Sequence, residues 1–200
     1  TITWAAPSPI TYGTPLSATQ LNATASVAGA FTYAPTVGAV LNAGVQTLSV
    51  SFTPTDGANY NSVTGTTVSL TVNKAILAVT AENKTRVYGA VNPVFTIIYN
   101  GFVNGDSPSV LDAIPVASTT AGPASPVGTY PITLTGGGDN NYEIANSSGL
   151  LAITKATLTA TASSVSRAYG TANPAFAVTY SGFANGENQS VLTTSPTAVT

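Results

Sequence analysis

The sequence predicts an all-β protein made of tandem small β-sandwich domains, and three observations carry that prediction. Apolar residues arrive in short alternating bursts, as where Leu48, Val50 and Phe52 interleave with Thr47, Ser49 and Ser51. That is the signature of a half-buried strand. Between the bursts stand turn formers, with 18 Gly and 13 Pro in 200 residues, so the chain reverses often. No apolar stripe of helical period runs beyond about two turns.

Composition narrows the function. Only 6% of residues are charged, against roughly 25% in an ordinary soluble protein. His, Cys and Met are absent and the formal net charge is −2. This excludes His-based acid–base chemistry, a Cys nucleophile, disulfides and zinc or haem sites of the usual kind. Five scattered Lys and Arg residues make no basic stripe for nucleic acid. No apolar run is long enough for a membrane-spanning helix. No cofactor is expected. The scarcity of Lys and Glu is associated with exported repeat proteins. The chain has no initiator Met and stops at Thr200 inside a repeat, which predicts a segment cut from a longer protein.

The first repeat, 1–74, carries candidate strands at Ile2–Trp4, Ile10–Tyr12, Gln20–Ala25, Phe31–Tyr33, Gln46–Phe52 and Thr66–Val72. Pro35, Gly38, Gly44, Pro54 and Gly57 punctuate them. Six or seven short strands at this spacing suggest an immunoglobulin-like sandwich. Trp4 and Tyr12, near the ends of the repeat, are candidates for packing against a neighbour as much as in their own core.

The rest of the chain repeats itself. Residues 74–118 align on 155–199 without a gap at an offset of 81, with 21 of 45 positions identical. The shared residues include Arg86/Arg167, Tyr88/Tyr169, Gly89/Gly170, Asn92/Asn173, Pro93/Pro174, Gly101/Gly182 and Gly105/Gly186. The second repeat is therefore 75–155, and 156–200 is a truncated copy. No flexible linker separates the repeats. Leu70 and Val72 share one phase of the pleat, whereas Leu77, Val79 and Ala81 share the other. Such a phase change moves the buried face to the other side. Each core should end at Lys74 or Lys155, giving short joints and a semi-rigid array. The truncated copy lacks counterparts of 119–155, so its apolar edge should lie open to self-assembly through unpaired strands.

Several local features invite a role. Tyr-Gly and Asn-Pro read as turn chemistry. Asn100-Gly101, with Ser181-Gly182 in its place in the copy, reads as the turn of a hairpin joining Ile97–Tyr99 to Phe102-Val103. Asp106-Ser-Pro-Ser-Val-Leu111 predicts one helical turn with Asp106 as cap and Pro108 in its first turn. Such a turn leaves a β-grasp-like sheet open beside the sandwich for 75–155 and 156–200. Gly136-Gly137-Gly138-Asp139 lacks the GxxxxGK[ST] pattern of a phosphate loop and reads as a turn. Asp139, Asn141 and Glu143 are spaced like calcium ligands, with Asp56 and Asn59 a poorer pair, yet calcium usually needs more carboxylates than such a loop offers. Lys74, Lys84 or Lys155 with a nearby Asn and Glu82 or Glu143 supply the atoms of a Lys–Asn isopeptide staple; edge lysines that discourage sheet pairing are the simpler reading. The sequons at Asn22, Asn83, Asn146 and Asn188 match chance frequency.

Residues 75–155, and 156–200 as a partial copy, resemble the MBG domain of YGX type, a repeat of bacterial surface proteins. The matching residues are Tyr88-Gly89-Ala90, Asn92-Pro93-x-Phe95, Tyr99-x-Gly101-Phe102-x-Asn104-Gly105-Asp106, Gly128-Thr129-Tyr130-Pro131-Ile132 and Asn141-Tyr142 with Leu151-x-Ile153-x-Lys155-Ala156. The first repeat resembles bacterial Ig-like repeats through Ile10-Thr-Tyr-Gly-Thr-Pro-Leu16, Phe31-x-Tyr33-x-Pro35 and Leu48–Asp56. The resemblance implies an extracellular or cell-surface, adhesin-like protein with many tandem copies and no catalytic residues. Three functions follow as expectations. The first is a structural spacer whose partners are the adjacent repeats. The second is a glycan- or protein-binding module using exposed Tyr12, Tyr33, Tyr60, Tyr88 or Tyr142. The third, an enzyme, has no His partner or G-x-S-x-G to support it.

Overall fold

The computed structural model describes residues 1–199; Thr200 lies outside the described residues. The protein is all-β, with fifteen strands and two three-residue 3-10 turns and no α-helix among the described residues. The chain forms two compact units. The first comprises 1–80, 98–116 and 134–147, and the second 81–97, 117–133 and 148–199.

In the first unit, residues 1–74 form β1 (Ile2–Thr3), β2 (Ile10–Thr11), β3 (Thr24–Ala25), β4 (Gly29–Ala34), β5 (Gly44–Pro54) and β6 (Val63–Asn73). All six candidate strands of the sequence are found, with shifted ends. β2, β6, β5 and β4 make a four-stranded sheet, and β1 pairs with β3 in a second. The expected strand at 20–25 shrinks to Thr24–Ala25 because the preceding stretch is a turn. There the Gln20 Oε1 accepts from the Ser17 amide and hydroxyl at 3.1 and 3.0 Å. Alternation holds along the long strands: Leu48, Val50, Phe52, Leu70 and Val72 are buried, and Leu16 and Leu21 join Leu48, Leu70 and Val72 in one apolar cluster. Trp4 packs edge-on against Tyr33 with centroids 5.4 Å apart, and its indole donates to the Gln20 carbonyl.

One residue, Lys74, separates β6 from β7 (Ala75–Ala81). The buried residues of β6 are Leu70 and Val72, and those of β7 are Ala75, Leu77, Val79 and Ala81. The expected change of phase is therefore present, centred on exposed Lys74. Also in the first unit, β12 (Tyr142–Ser147) runs parallel to β7 over Tyr142↔Ala75 to Ser147↔Thr80, and β9 (Ile97–Asn100), in this unit from Ile98 on, flanks β7 on the other side.

Most of the sheet in the order β10 (Val116–Ser118), β11 (Gly128–Thr135), β13 (Gly149–Thr154), β8 (Lys84–Val87) belongs to the second unit. Ile132, Leu151 and Ile153 are its buried apolar residues. Among the described residues from 156 onward the unit contains only β14 (Thr159–Ala162) antiparallel to β15 (Val178–Ser181) and a 3-10 turn. No described residue after 155 is fully buried, whereas Leu77 and Val79, counterparts of Leu158 and Ala160, are 0% exposed.

Two local expectations are corrected. Asn100-Gly101 is not a hairpin turn, because β9 pairs with β7 and not with the residues that follow it. The tight turn lies four residues on, at Asn104-Gly105, where φ is 57° and 77° and the Asp106 amide donates to the Val103 carbonyl at 2.9 Å. Positive φ at both central residues is the type I′ arrangement. The helical turn exists at Pro108–Val110, but its cap position is Ser107 and not Asp106. None of its residues is buried, so it does not serve as the packed helix that a β-grasp requires.

Candidate functional site: the joint between repeats

The side chains the sequence singled out converge where one repeat meets the next. In the first unit the Tyr12 amide donates to the Asn73 carbonyl at 2.8 Å. This ties the Tyr12-Gly13 turn to the end of the last strand of its own repeat. The Tyr12 hydroxyl then donates to the Asp106 Oδ2 at 3.0 Å, and its ring stands edge-on to Tyr142 with centroids 5.4 Å apart. The Tyr142 hydroxyl donates to the same Asp106 oxygen at 2.7 Å and accepts from the Val103 amide at 3.0 Å. Phe102 closes the cluster with a second edge-on contact to Tyr142. Gly13 is required here: its φ is +94° and an added Cβ would lie 2.7 Å from the Val103 side chain.

The environment shifts both phenols. Tyr142 is pushed up to about 12, chiefly by burial, with the Val103 backbone bond opposing and the Asp106 carboxylate adding to the rise. For Tyr12 the Asn104 side chain acts downward, but burial and the Asp106 carboxylate outweigh it and hold the phenol above its ordinary value. Both remain protonated donors at neutral pH, which is what a shared carboxylate acceptor needs.

Asn141 fastens the other side of this joint. Its Oδ1 accepts from the Ala43 amide at 2.8 Å, its side-chain amide donates to Asn42, and its carbonyl accepts from the Ala75 amide at 2.9 Å. Asp139 Oδ1 accepts from the Asn141 and Tyr142 amides, and its carbonyl accepts from Lys74 Nζ at 2.7 Å. Lys74, Asp139 and Asn141 thus meet at the joint, while Glu143 is exposed on β12. No cluster of three or more His, Cys, Asp or Glu side chains suited to a metal occurs among the described residues.

The same joint recurs in the second unit. The Tyr88 amide donates to the Thr154 carbonyl at 2.8 Å, and the Tyr88 hydroxyl donates to the Glu187 Oε1 at 2.6 Å. Glu187 is the counterpart of Asp106 in the 81-residue period, and it follows the same positive-φ turn, Asn185-Gly186 with φ 53° and 76°. A Cβ on Gly89, φ +83°, would collide with the Ala184 side chain, as one on Gly13 would with Val103. Ala184 is the counterpart of Val103.

The remaining flagged residues have structural partners. Arg86, 7% exposed, donates to Asn92 Oδ1 at 2.7 Å and to the carbonyls of Val87 and Gly122, while Asn92 donates to the Ala121 carbonyl. Lys84 and Glu82 form an ion pair at 3.1 Å, and Thr96 donates to the same Glu82 carboxylate. That carboxylate lies below its usual range, first through Thr96 and then through Lys84. Of the five tyrosines offered as a binding surface, Tyr12, Tyr88 and Tyr142 belong to the joints. Tyr33 packs in the first core and its hydroxyl accepts from the Ala23 amide. Tyr60 is 49% exposed.

The family model for the MBG domain, YGX type, matches residues 77–152 and 158–200, more than half of the chain. The chain belongs to the MBG domain family. The MBG domain is a repeat module of bacterial surface proteins, and the family is a non-enzymatic one. No curated protein and no solved structure matches the chain. The Tyr-Gly pair of the MBG repeat is the plug of the second joint, and the Asn-Gly-acid turn of the MBG repeat is the receiving element of both. The first repeat, outside the MBG match, presents an equivalent plug.

Proposed function

We propose that the chain is a non-catalytic spacer segment of a large secreted or surface-anchored bacterial adhesin-like protein, in which latched joints hold successive repeats in fixed register. One observation carries this reading: the same Tyr-Gly to Asn-Gly-acid contact occurs at both joints, Tyr12 with Asp106 and Tyr88 with Glu187. A joint of one residue at Lys74, closed by a phenol–carboxylate bond, opposes bending more than a free linker of that length. Stalk and fibre segments need that property.

The test is small-angle scattering on chains carrying increasing numbers of repeats. The largest dimension should grow in proportion to repeat number. Tyr12→Phe with Tyr88→Phe should broaden the distance distribution. A particle that stays compact as repeats are added would overturn the spacer reading.

A second reading, a binding module, is favoured by a groove of about 400 Å³ lined by Ala18, Leu21, Phe31, Tyr33 and Val37. Phe31 and Tyr33 stack there at 6.1 Å, a surface suited to the apolar face of a sugar. Glycan-array binding abolished by Phe31→Ala would support it, and absence of binding would remove it.

A further inference from the structure

Tyr169-Gly170 is the third Tyr-Gly pair of the chain, after Tyr12-Gly13 and Tyr88-Gly89. Its turn is already shaped like the occupied one. Gly170 has φ +81° against +83° at Gly89, and the Thr171 amide donates to the Ala168 carbonyl at 3.2 Å, as the Ala90 amide does to Val87. What differs is the surroundings. Tyr169 is 104% exposed, and the space where a Cβ on Gly89 meets Ala184 is empty around Gly170.

We infer that Tyr169-Gly170 is a docking site for a further repeat of this same family, received through that repeat's apolar-Asn-Gly-Asp/Glu turn. This rests on the joint reading above and extends it to a partner. The two occupied examples define the chemistry. The partner must offer a positive-φ Asn-Gly turn, a carboxylate directly after it to accept from the phenol, and a Val or Ala directly before it to fill the space over Gly170. An intact second copy of this chain does not meet that need. Its two turns of this kind, 103–106 and 184–187, already receive Tyr12 and Tyr88. The occupant is therefore an additional repeat with its turn free.

The experiment appends a copy of residues 120–200 after Thr200, so that the 81-residue period continues. Tyrosine nitration is followed site by site by mass spectrometry in the native and lengthened chains. In the native chain Tyr169 should react as a free tyrosine, with Tyr12 and Tyr88 protected. In the lengthened chain Tyr169 should become about tenfold slower, the factor expected of one charge-assisted hydrogen bond. Replacing the appended copy of Glu187 by Gln should restore its reactivity and leave Tyr88 protected. A second lengthened chain, carrying 120–155 followed by a whole copy of 75–155, presents the Asp106 turn in a complete repeat. Tyr169 remaining fully reactive in both lengthened chains, with Tyr88 protected, overturns this inference and leaves the joint reading standing. So does equal protection of Tyr169 by self-association of the native chain. Tyr12 and Tyr88 reacting as fast as Tyr169 in every chain overturns the joint reading itself.

Discussion

At the scale of single residues, the joint works because one carboxylate takes two phenols. Asp106 receives Tyr12 from the preceding repeat and Tyr142 from its own. Removing the Tyr12 hydroxyl leaves Asp106 the Tyr142 phenol, so Tyr12→Phe should destabilise by about 1 kcal/mol, whereas Asp106→Ala removes the carboxylate acceptor of both phenols and should cost about 2–3 kcal/mol. Urea unfolding checks both. The raised Tyr142 phenol sets a pH dependence. An unfolded tyrosine titrates near its ordinary value of 10.0 and the folded one at about 12. The folded state thus holds the proton more tightly. Its stabilisation is fully present below pH 10 and is lost as pH rises through about 12, on the order of 2–3 kcal/mol in all. Denaturant midpoints measured from pH 8 to 12 should fall along that course, and Tyr142→Phe should flatten the fall. Asp106 itself was legible as a helix cap and as the end of the family's Asn-Gly-Asp string. Nothing local signals that its partner, Tyr12, lies 94 residues away.

At the scale of elements, what the sequence reveals and what it hides divide by range. The alternation in β6 and β7 is a property of neighbouring residues, so the phase change at Lys74 was readable before any contact was known. The hairpin expected at Asn100-Gly101 failed because the local motif appears twice within six residues. Only the long-range pairing of β9 with β7 decides which copy makes the tight turn. Gly101 has a different duty: at φ +117°, an added Cβ would lie 2.5 Å from the Ile76 carbonyl oxygen. Gly101→Ala should therefore cost about 1–3 kcal/mol from backbone strain, with any relief of the clash added. Leu77→Ala, at a residue 0% exposed, should cost about 2–5 kcal/mol through the cavity it leaves. Thermal unfolding ranks the two. The Tyr-Gly plug was half legible: the turn was evident from its residues, the docking was not. Lining up Thr11-Tyr12-Gly13-Thr14 with Val87-Tyr88-Gly89-Ala90 offers the missing signal.

At the scale of the whole molecule, the sequence period explains the uneven burial. Residues 75–155 contribute buried side chains to both compact units, whereas the described residues after 155 have none. Few buried apolar contacts mean a low cost of local opening. Limited proteolysis should therefore cut first within 156–199, and a fragment close to 1–155 should persist by mass spectrometry. Equal resistance along the whole chain would contradict this. The family was legible because its residues are turn and joint residues whose spacing survives in one sequence. Which repeat touches which was not, because those contacts span about a whole repeat.

The single lysine between β6 and β7 has a consequence for how such genes change length. Each repeat keeps its parity within itself, so recombination that gains or loses whole 81-residue periods leaves every inward-facing side chain inward. A crossover misplaced by one codon at Lys74 would turn Leu77 and Val79 to the solvent and Ile76 and Ala78 to the interior. Gain or loss of whole periods should therefore be tolerated better than gain or loss of a single codon at the lysine.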